Sequence, residues 1–164
     1  MIHHPIPPVW DKNSTVLILG SFPSVKSRET GFFYGHPRNR FWEIVASVHG
    51  EETPRTIEEK KAFLHRNHIA LWDVIGSCEI KGSSDASIRN VTVNDIRGIL
   101  SEANIRTVFV NGKTAFGFYR KYLLPLTGKD AACLPSTSPL NASWSVERLT
   151  DAWKCIKETD NEEQ

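Results

Sequence analysis

Val16-Leu17-Ile18-Leu19-Gly20 most limits what this chain can fold into: five residues without a polar side chain, closed by a glycine. Such a run is too short for a buried helix and fits a strand covered on both faces, the kind that parallel sheets are built from. The pattern recurs. Ile69 to Val74, Thr107 to Val110 and, more weakly, Ala131 to Leu134 read as further strands. Helical spacing fills the gaps: Phe41, Ile44, Val45 and Val48 within 39–49, and a segment opened by the capping box Thr56-Ile57-Glu58-Glu59. Val93, Ile96, Ile99 and Leu100 share a face within 92–103, 113–122 reads as a helix, and Ser145 caps a last helix ending near Lys157. The residues between Gly20 and Asn39 read as turns. Alternating strands and helices imply right-handed crossovers. The predicted fold is therefore α/β, a three-layer α/β/α sandwich around a central, mainly parallel four-stranded sheet. Residues 1–157 are expected to form one domain, and 158–164 a disordered acidic tail.

A chain of 164 residues buries roughly 70% of its unfolded surface and needs no staples. Its three cysteines, Cys78, Cys133 and Cys155, form no C-x-x-C pair and read as reduced thiols of a cytoplasmic protein. No metal is expected, because the one histidine cluster, His3 and His4, lies in an N-terminus expected to be mobile. No apolar run reaches the roughly 20 residues of a membrane span, and no leader pattern opens the chain. Neither G-x-G-x-x-G nor G-x-x-x-x-G-K-[ST] occurs, so no nucleotide cofactor is expected. Gly20-Ser21-Phe22-Pro23-Ser24 is not a nucleophile elbow, since Phe22 stands where the serine would be.

In doubly wound folds ligands bind outside the carboxyl ends of the strands. Four loops leave those ends: 20–24, 73–77, 111–113 and 135–141. They are rich in Gly, Pro, Ser and Asn, and Asp73 is their only carboxylate, too few acids for a two-metal site. The segment Gly31 to Trp42 feeds them. From Lys26 to Trp42, four basic residues face one acid among five aromatics, the mixture that binds phosphates and stacks on bases. Phe41 and Trp42 read as core residues of the helix. Tyr34 and His36 precede it in a Gly- and Pro-rich loop, where packing explains them less well.

Gly20 to Ser24, Tyr34 to Trp42 with its Gly-His-Pro-Arg-Asn-Arg-Phe-Trp block, Val110 to Ala115 and Ser136 to Ser143 together resemble the uracil-DNA glycosylase superfamily, most of all its hypoxanthine-DNA (deoxyinosine) branch. The resemblance spans roughly Val16 to Ile156 and implies an enzyme that flips a deaminated base from double-stranded DNA and hydrolyses its N-glycosidic bond. In mismatch-specific uracil glycosylases, an asparagine of the first loop positions the attacking water. Phe22 occupies that place here, and an asparagine of the second block serves in the hypoxanthine branch, which falls on Asn39.

The chemistry suits an amide, since a cation-like sugar needs a held water more than a strong base. Read from the residues alone, Asn39 is as good a helix cap as a catalytic group. Backbone amides of Ser21 and Phe22 are candidate donors to the departing base. By the resemblance, Phe22 or Tyr34 stacks on the base within a pocket that includes Pro23. Asn111 either reads a base edge or is an ordinary turn residue. The resemblance also makes Ser136 to Ser143 a minor-groove loop, with Ser136, Ser138, Pro139 and Asn141 at the DNA and Leu140 as the wedge; a hydrophobic staple is the alternative for Leu140. Ser24, Arg38 and Lys113 are further DNA-binding candidates. His36 can exchange a proton near neutrality, and Asp73 orients a water or a base, or caps a turn.

The competing readings are a uracil glycosylase with mismatch preference, a binding module that has lost the reaction, and a hydrolase of free nucleosides. The net charge of +1 does not count against DNA. Segment 158–164 holds four acids, leaving +5 on the remainder, and Arg106 to Lys129 carries five basic residues and no acid. The chain is expected to act as a monomer.

Overall fold

The computed structural model describes residues 1–157, so the expected acidic tail lies outside the described residues. In chain order the elements are β1 (Ile2–His3), β2 (Val16–Gly20), α1 (Val25–Thr30), α2 (Phe41–Val48), α3 (Ile57–Arg66), β3 (Ile69–Asp73), β4 (Ile75–Glu79) and β5 (Arg89–Val93). Then follow α4 (Arg97–Glu102), β6 (Thr107–Asn111), α5 (Lys113–Phe118), α6 (Leu124–Thr127), β7 (Ala131–Leu134) and α7 (Val146–Trp153). A π-helical segment, Tyr119–Leu123, joins α5 to α6.

The four strands read from the sequence form one parallel sheet in the order β3-β2-β6-β7. Every residue of β2 is buried, as its all-apolar run requires. The two-residue period of a strand splits them: Val16 and Ile18 pack with α2, α3 and α7 through Phe41, Ile44, Phe63, Leu64, Leu149 and Trp153. Leu17 and Leu19 face α4, α5 and the π-helical segment through Ile99, Ala115, Tyr119 and Leu123. This is the three-layer α/β/α sandwich. Among the described residues no helix is long and apolar enough to cross a membrane.

The structure corrects the sequence reading in four places. Residues 92–103 are not one helix: Arg89–Val93 is a strand antiparallel to β4, and only Arg97–Glu102 is helical. Asn94 separates them, its Nδ2 donating to the carbonyls of Asp73 (2.9 Å) and Ile75 (3.1 Å). The stretch after Asp73, expected as a loop, turns at Val74 into β4, and a second, three-stranded sheet results in the order β1-β4-β5. The turn region after β2 holds α1, whose cap Ser24 Oγ accepts from Ser27 N at 3.1 Å.

The N-terminus, expected to be mobile, is also tied down. His4 N donates to Gly76 O at 2.7 Å, and Val9 and Leu71 exchange backbone hydrogen bonds of 3.0 and 2.9 Å. That segment covers β3, an edge strand of the parallel sheet that would otherwise offer unpaired amides to another chain.

Candidate active site

The carboxyl ends of the parallel strands open into a cavity of about 340 Å³. That is the small end of the roughly 300–1,000 Å³ of ligand sites. Of the residues predicted from the sequence, Ser21, Phe22, Pro23, Ser24, Tyr34, His36, Asn39, Asp73, Asn111, Ser136, Ser138, Pro139 and Leu140 line it. Arg38, Lys113 and Asn141 do not. Arg38 and Lys113 are exposed nearby, while Asn141 shapes the loop by donating from Nδ2 to Ser136 O at 3.0 Å.

Asn39 stands just before α2, and its Oδ1 accepts from Phe41 N (3.0 Å) and from the Thr137 hydroxyl (2.8 Å). Thr137, fully buried, is clamped by Asn111, whose Nδ2 donates to Oγ1 (3.0 Å) and whose Oδ1 accepts from Thr137 N (3.1 Å). Because a backbone N–H can only donate, this network fixes which end of the Asn39 amide is which. The carbonyl is occupied; the Nδ2 donors have no partner among the described residues. Arg40 locks the same loop from behind. Its guanidinium donates to Ser138 O (2.9 Å), Asn141 O (3.1 Å) and Trp144 O, and its backbone N donates to Thr137 O (3.1 Å).

Asp73, the last residue of β3, is buried on the floor of the cavity. His4 donates to its Oδ2 from Nε2 at 2.7 Å. The tautomer follows from Ile6 N, which donates to Nδ1 at 3.2 Å and so leaves the ring proton on Nε2. Oδ1 accepts no hydrogen bond among the described residues. It lies so close to Gly20 that a Cβ there would stand 2.5 Å from it and 2.9 Å from the Tyr34 hydroxyl. A second carboxylate, Asp85, reaches the cavity from the β4–β5 connection and accepts from Ser21 Oγ at 3.1 Å. Burial raises its pKa, the hydrogen bond from Ser21 opposes the rise, and the charge of Asp73 adds to it.

The family model of the uracil DNA glycosylase superfamily matches residues 7–159. The chain belongs to that superfamily. It is 35% identical over 158 residues to a protein of Methanosarcina acetivorans named hypoxanthine DNA glycosylase, covering 95% of this chain and 98% of that one. A protein of the same name from Methanosarcina barkeri is 34% identical over 141 residues, 79% of this chain and 89% of its own. A solution NMR structure of a candidate uracil DNA glycosylase from Methanosarcina acetivorans superposes with a TM-score of 0.81 at 34% identity, covering 98% of this chain and 99% of that one.

Within this superfamily chain, sequence reading missed His4, Thr137 and Asp85. His4 sits in a segment with no strand or helix pattern, Thr137 is one hydroxyl among several serines, and Asp85 lies in a polar connection between two strands that periodicity does not mark. Leu140 is 89% exposed at the cavity lip, so it does not staple α7, whose cap is Ser145.

Tyr34 holds a left-handed backbone (φ 53°) and stacks on Phe41 with ring centroids 4.1 Å apart. Its hydroxyl is buried and makes no hydrogen bond among the described residues. Burial, and then the charge of Asp73, hold the phenol well above its usual pKa, with the Asn111 side chain opposing. The folded state therefore keeps a proton that the unfolded chain releases above about pH 10, and stability falls as the pH rises beyond that point. Tyr34→Phe removes this loss. Its urea midpoint should equal or exceed the parent's near pH 7, because a buried hydroxyl without a partner among the described residues is lost, and the gain should widen above pH 10; a gain that stays constant with pH would refute the assignment.

Proposed function

We propose that this chain is a monofunctional DNA glycosylase that draws a deaminated base, hypoxanthine foremost, out of double-stranded DNA and hydrolyses its N-glycosidic bond with a water, the opening step of base excision repair. The observation that carries the reading is Leu140, 89% exposed at the lip of a cavity lined by Asn39 and Asp73. An unpacked leucine gives up no protein contacts on entering a base stack and fills the gap left by an extruded nucleotide. The names of the two Methanosarcina relatives support hypoxanthine as the base.

Each residue then has a task. Ser24, Ser136 and Ser138, with Arg38, Lys113, Pro139 and Asn141 beside them, meet the DNA backbone. Phe22, Pro23 and Tyr34 enclose the base. As the glycosidic bond breaks, negative charge accumulates on the base, and the Asn39 Nδ2–H groups with the Ser21 and Phe22 backbone amides are donors for it. His36, exposed at the lip, is a further donor. Asp73 orients its partner from the floor. Among the described residues no lysine lines the cavity, which favours water over a Schiff base. In this reading the chain acts as a monomer, and the unpaired thiols suit the cytoplasm. Residues 1–157 act as one domain.

Duplexes carrying a single deoxyinosine, deoxyuridine or deoxyxanthosine test this on a denaturing gel. Strand scission at deoxyinosine is expected only after alkali, and fastest of the three. Failure to release any of the three bases would refute the proposal, and scission without alkali would refute the monofunctional assignment.

A further inference from the structure

His4 has the geometry of a working residue and no place yet in the reaction. Its backbone is pinned by the hydrogen bond to Gly76 O, and β1 pairs with β4 immediately before it. Its ring is packed edge-on against Phe22 (5.8 Å between centroids) and Trp72 (6.3 Å). The side chain is 3% exposed, and its one polar contact toward the cavity is the 2.7 Å donation to Asp73 Oδ2. With Oδ2 engaged, Asp73 presents Oδ1 without a partner among the described residues.

Depth decides what Oδ1 meets. DNA remains at the lip, where His36 and Leu140 are exposed, and a flipped nucleotide enters base first. The sugar then lies near the half-buried Asn39 and the base edge reaches the floor, where Asp73 is 4% exposed. Hydrolytic deamination exchanges a ring amino group for a carbonyl and moves a proton onto the neighbouring ring nitrogen. A pure acceptor on the floor pairs with that new N–H and repels the lone pair that adenine carries at the same place.

We infer that His4 is a positioning residue for base selection: its Nε2–H fixes the Asp73 carboxylate so that Oδ1 accepts the ring N–H that deamination creates. The inference rests on the proposed function for the flipped base, and it makes the N-terminal segment part of the specificity machinery. Removing His4 leaves Asp73 free to turn, and the carboxylate no longer distinguishes a lactam edge from an amino-purine edge.

The test measures binding, so it does not depend on turnover. The full chain and its variants are titrated by fluorescence anisotropy with two duplexes, identical except for 2′-fluoroarabino-inosine or 2′-fluoroarabino-adenosine at one position; the fluorine disfavours the cation-like sugar and blocks hydrolysis. The parent should prefer the inosine duplex by roughly tenfold to a hundredfold. His4→Ala and Asp73→Asn should bring the ratio near unity with unchanged affinity for undamaged duplex. His4→Gln, whose amide N–H replaces that of the imidazole, should retain most of the preference, and thermal melts establish that each variant is folded. A preference that survives in folded His4→Ala, a parent without preference, or a Gln variant as indiscriminate as Ala would each overturn the inference. A His4-dependent preference without release from ordinary deoxyinosine would refute the glycosylase reading alone. Release with a His4-independent preference would refute this inference alone.

Discussion

Asn39→Asp is expected to release base no faster than Asn39→Ala, about two to three orders of magnitude below the parent chain, as for loss of one transition-state donor. The substitution separates two roles of one amide. Aspartate keeps the oxygen that accepts from Phe41 N and the Thr137 hydroxyl, so both contacts survive and melting should stay near that of the parent. It replaces the Nδ2 donors by a second acceptor bearing charge. Placed beside a base that is becoming an anion, that charge opposes departure. Were Asn39 instead the acceptor that holds a water, aspartate would do the task at least as well, and single-turnover release on a deoxyinosine duplex would hold or rise. Alanine removes the donors and the accepting oxygen together and should also lower stability by about 1 kcal/mol. A rapid Asn39→Asp variant would move Asn39 from the leaving base to the water.

The parallel sheet was legible because each of its strands is a short apolar run that no helix explains. β2, with all five residues buried, is the extreme case. The antiparallel sheet was not, for a physical reason. Arg89-Asn90-Val91-Thr92-Val93 alternates as a half-exposed strand should, but Val93 and Ile96 continue the helical spacing of Ile99 and Leu100, and periodicity alone does not locate the change. Asn94 marks it, through hydrogen bonds to two residues about twenty positions back in the sequence. α1 escaped because its six residues carry one apolar side chain, leaving the Ser24 cap as its main signal.

The site divides along the same line. Asn39, Tyr34, Asp73 and Leu140 lie in loops that leave strand ends or precede a helix, where unusual residues are visible. His4 lies about seventy positions from Asp73, on a segment held by pairing with β4 and by the Val9–Leu71 bridge, and no apolar run in the sequence marks β4 as a strand. Missing β4 therefore entailed missing His4. Asn111 shows the opposite effect: a base-reading role and a turn role were both legible, yet its carbonyl and its amide each bond Thr137, and only the fold brings them together across 26 positions.

Gly20→Ala should cost stability and base release together, although the backbone at Gly20 is ordinary strand and alanine suits it. The new Cβ would stand 2.5 Å from Asp73 Oδ1 and 2.9 Å from the Tyr34 hydroxyl, both inside contact distance. Neither neighbour yields cheaply. Asp73 is held by His4 in a packed aromatic setting, and Tyr34 is stacked on Phe41 from a left-handed backbone. Overpacking of this kind costs about 1–3 kcal/mol. At roughly 2–4 °C per kcal/mol for a domain of this size, the melting temperature should fall by about 3–10 °C. Release should fall further than stability explains, because the easiest relief is to push Oδ1 out of line with the base. Adding Tyr34→Phe removes one of the two collisions and leaves the other, so the double variant should regain part of the melting temperature and little of the rate. Full recovery of the rate would locate the damage at Tyr34 instead of Asp73, and a Gly20→Ala variant equal to the parent in both measurements would refute the packing of this floor.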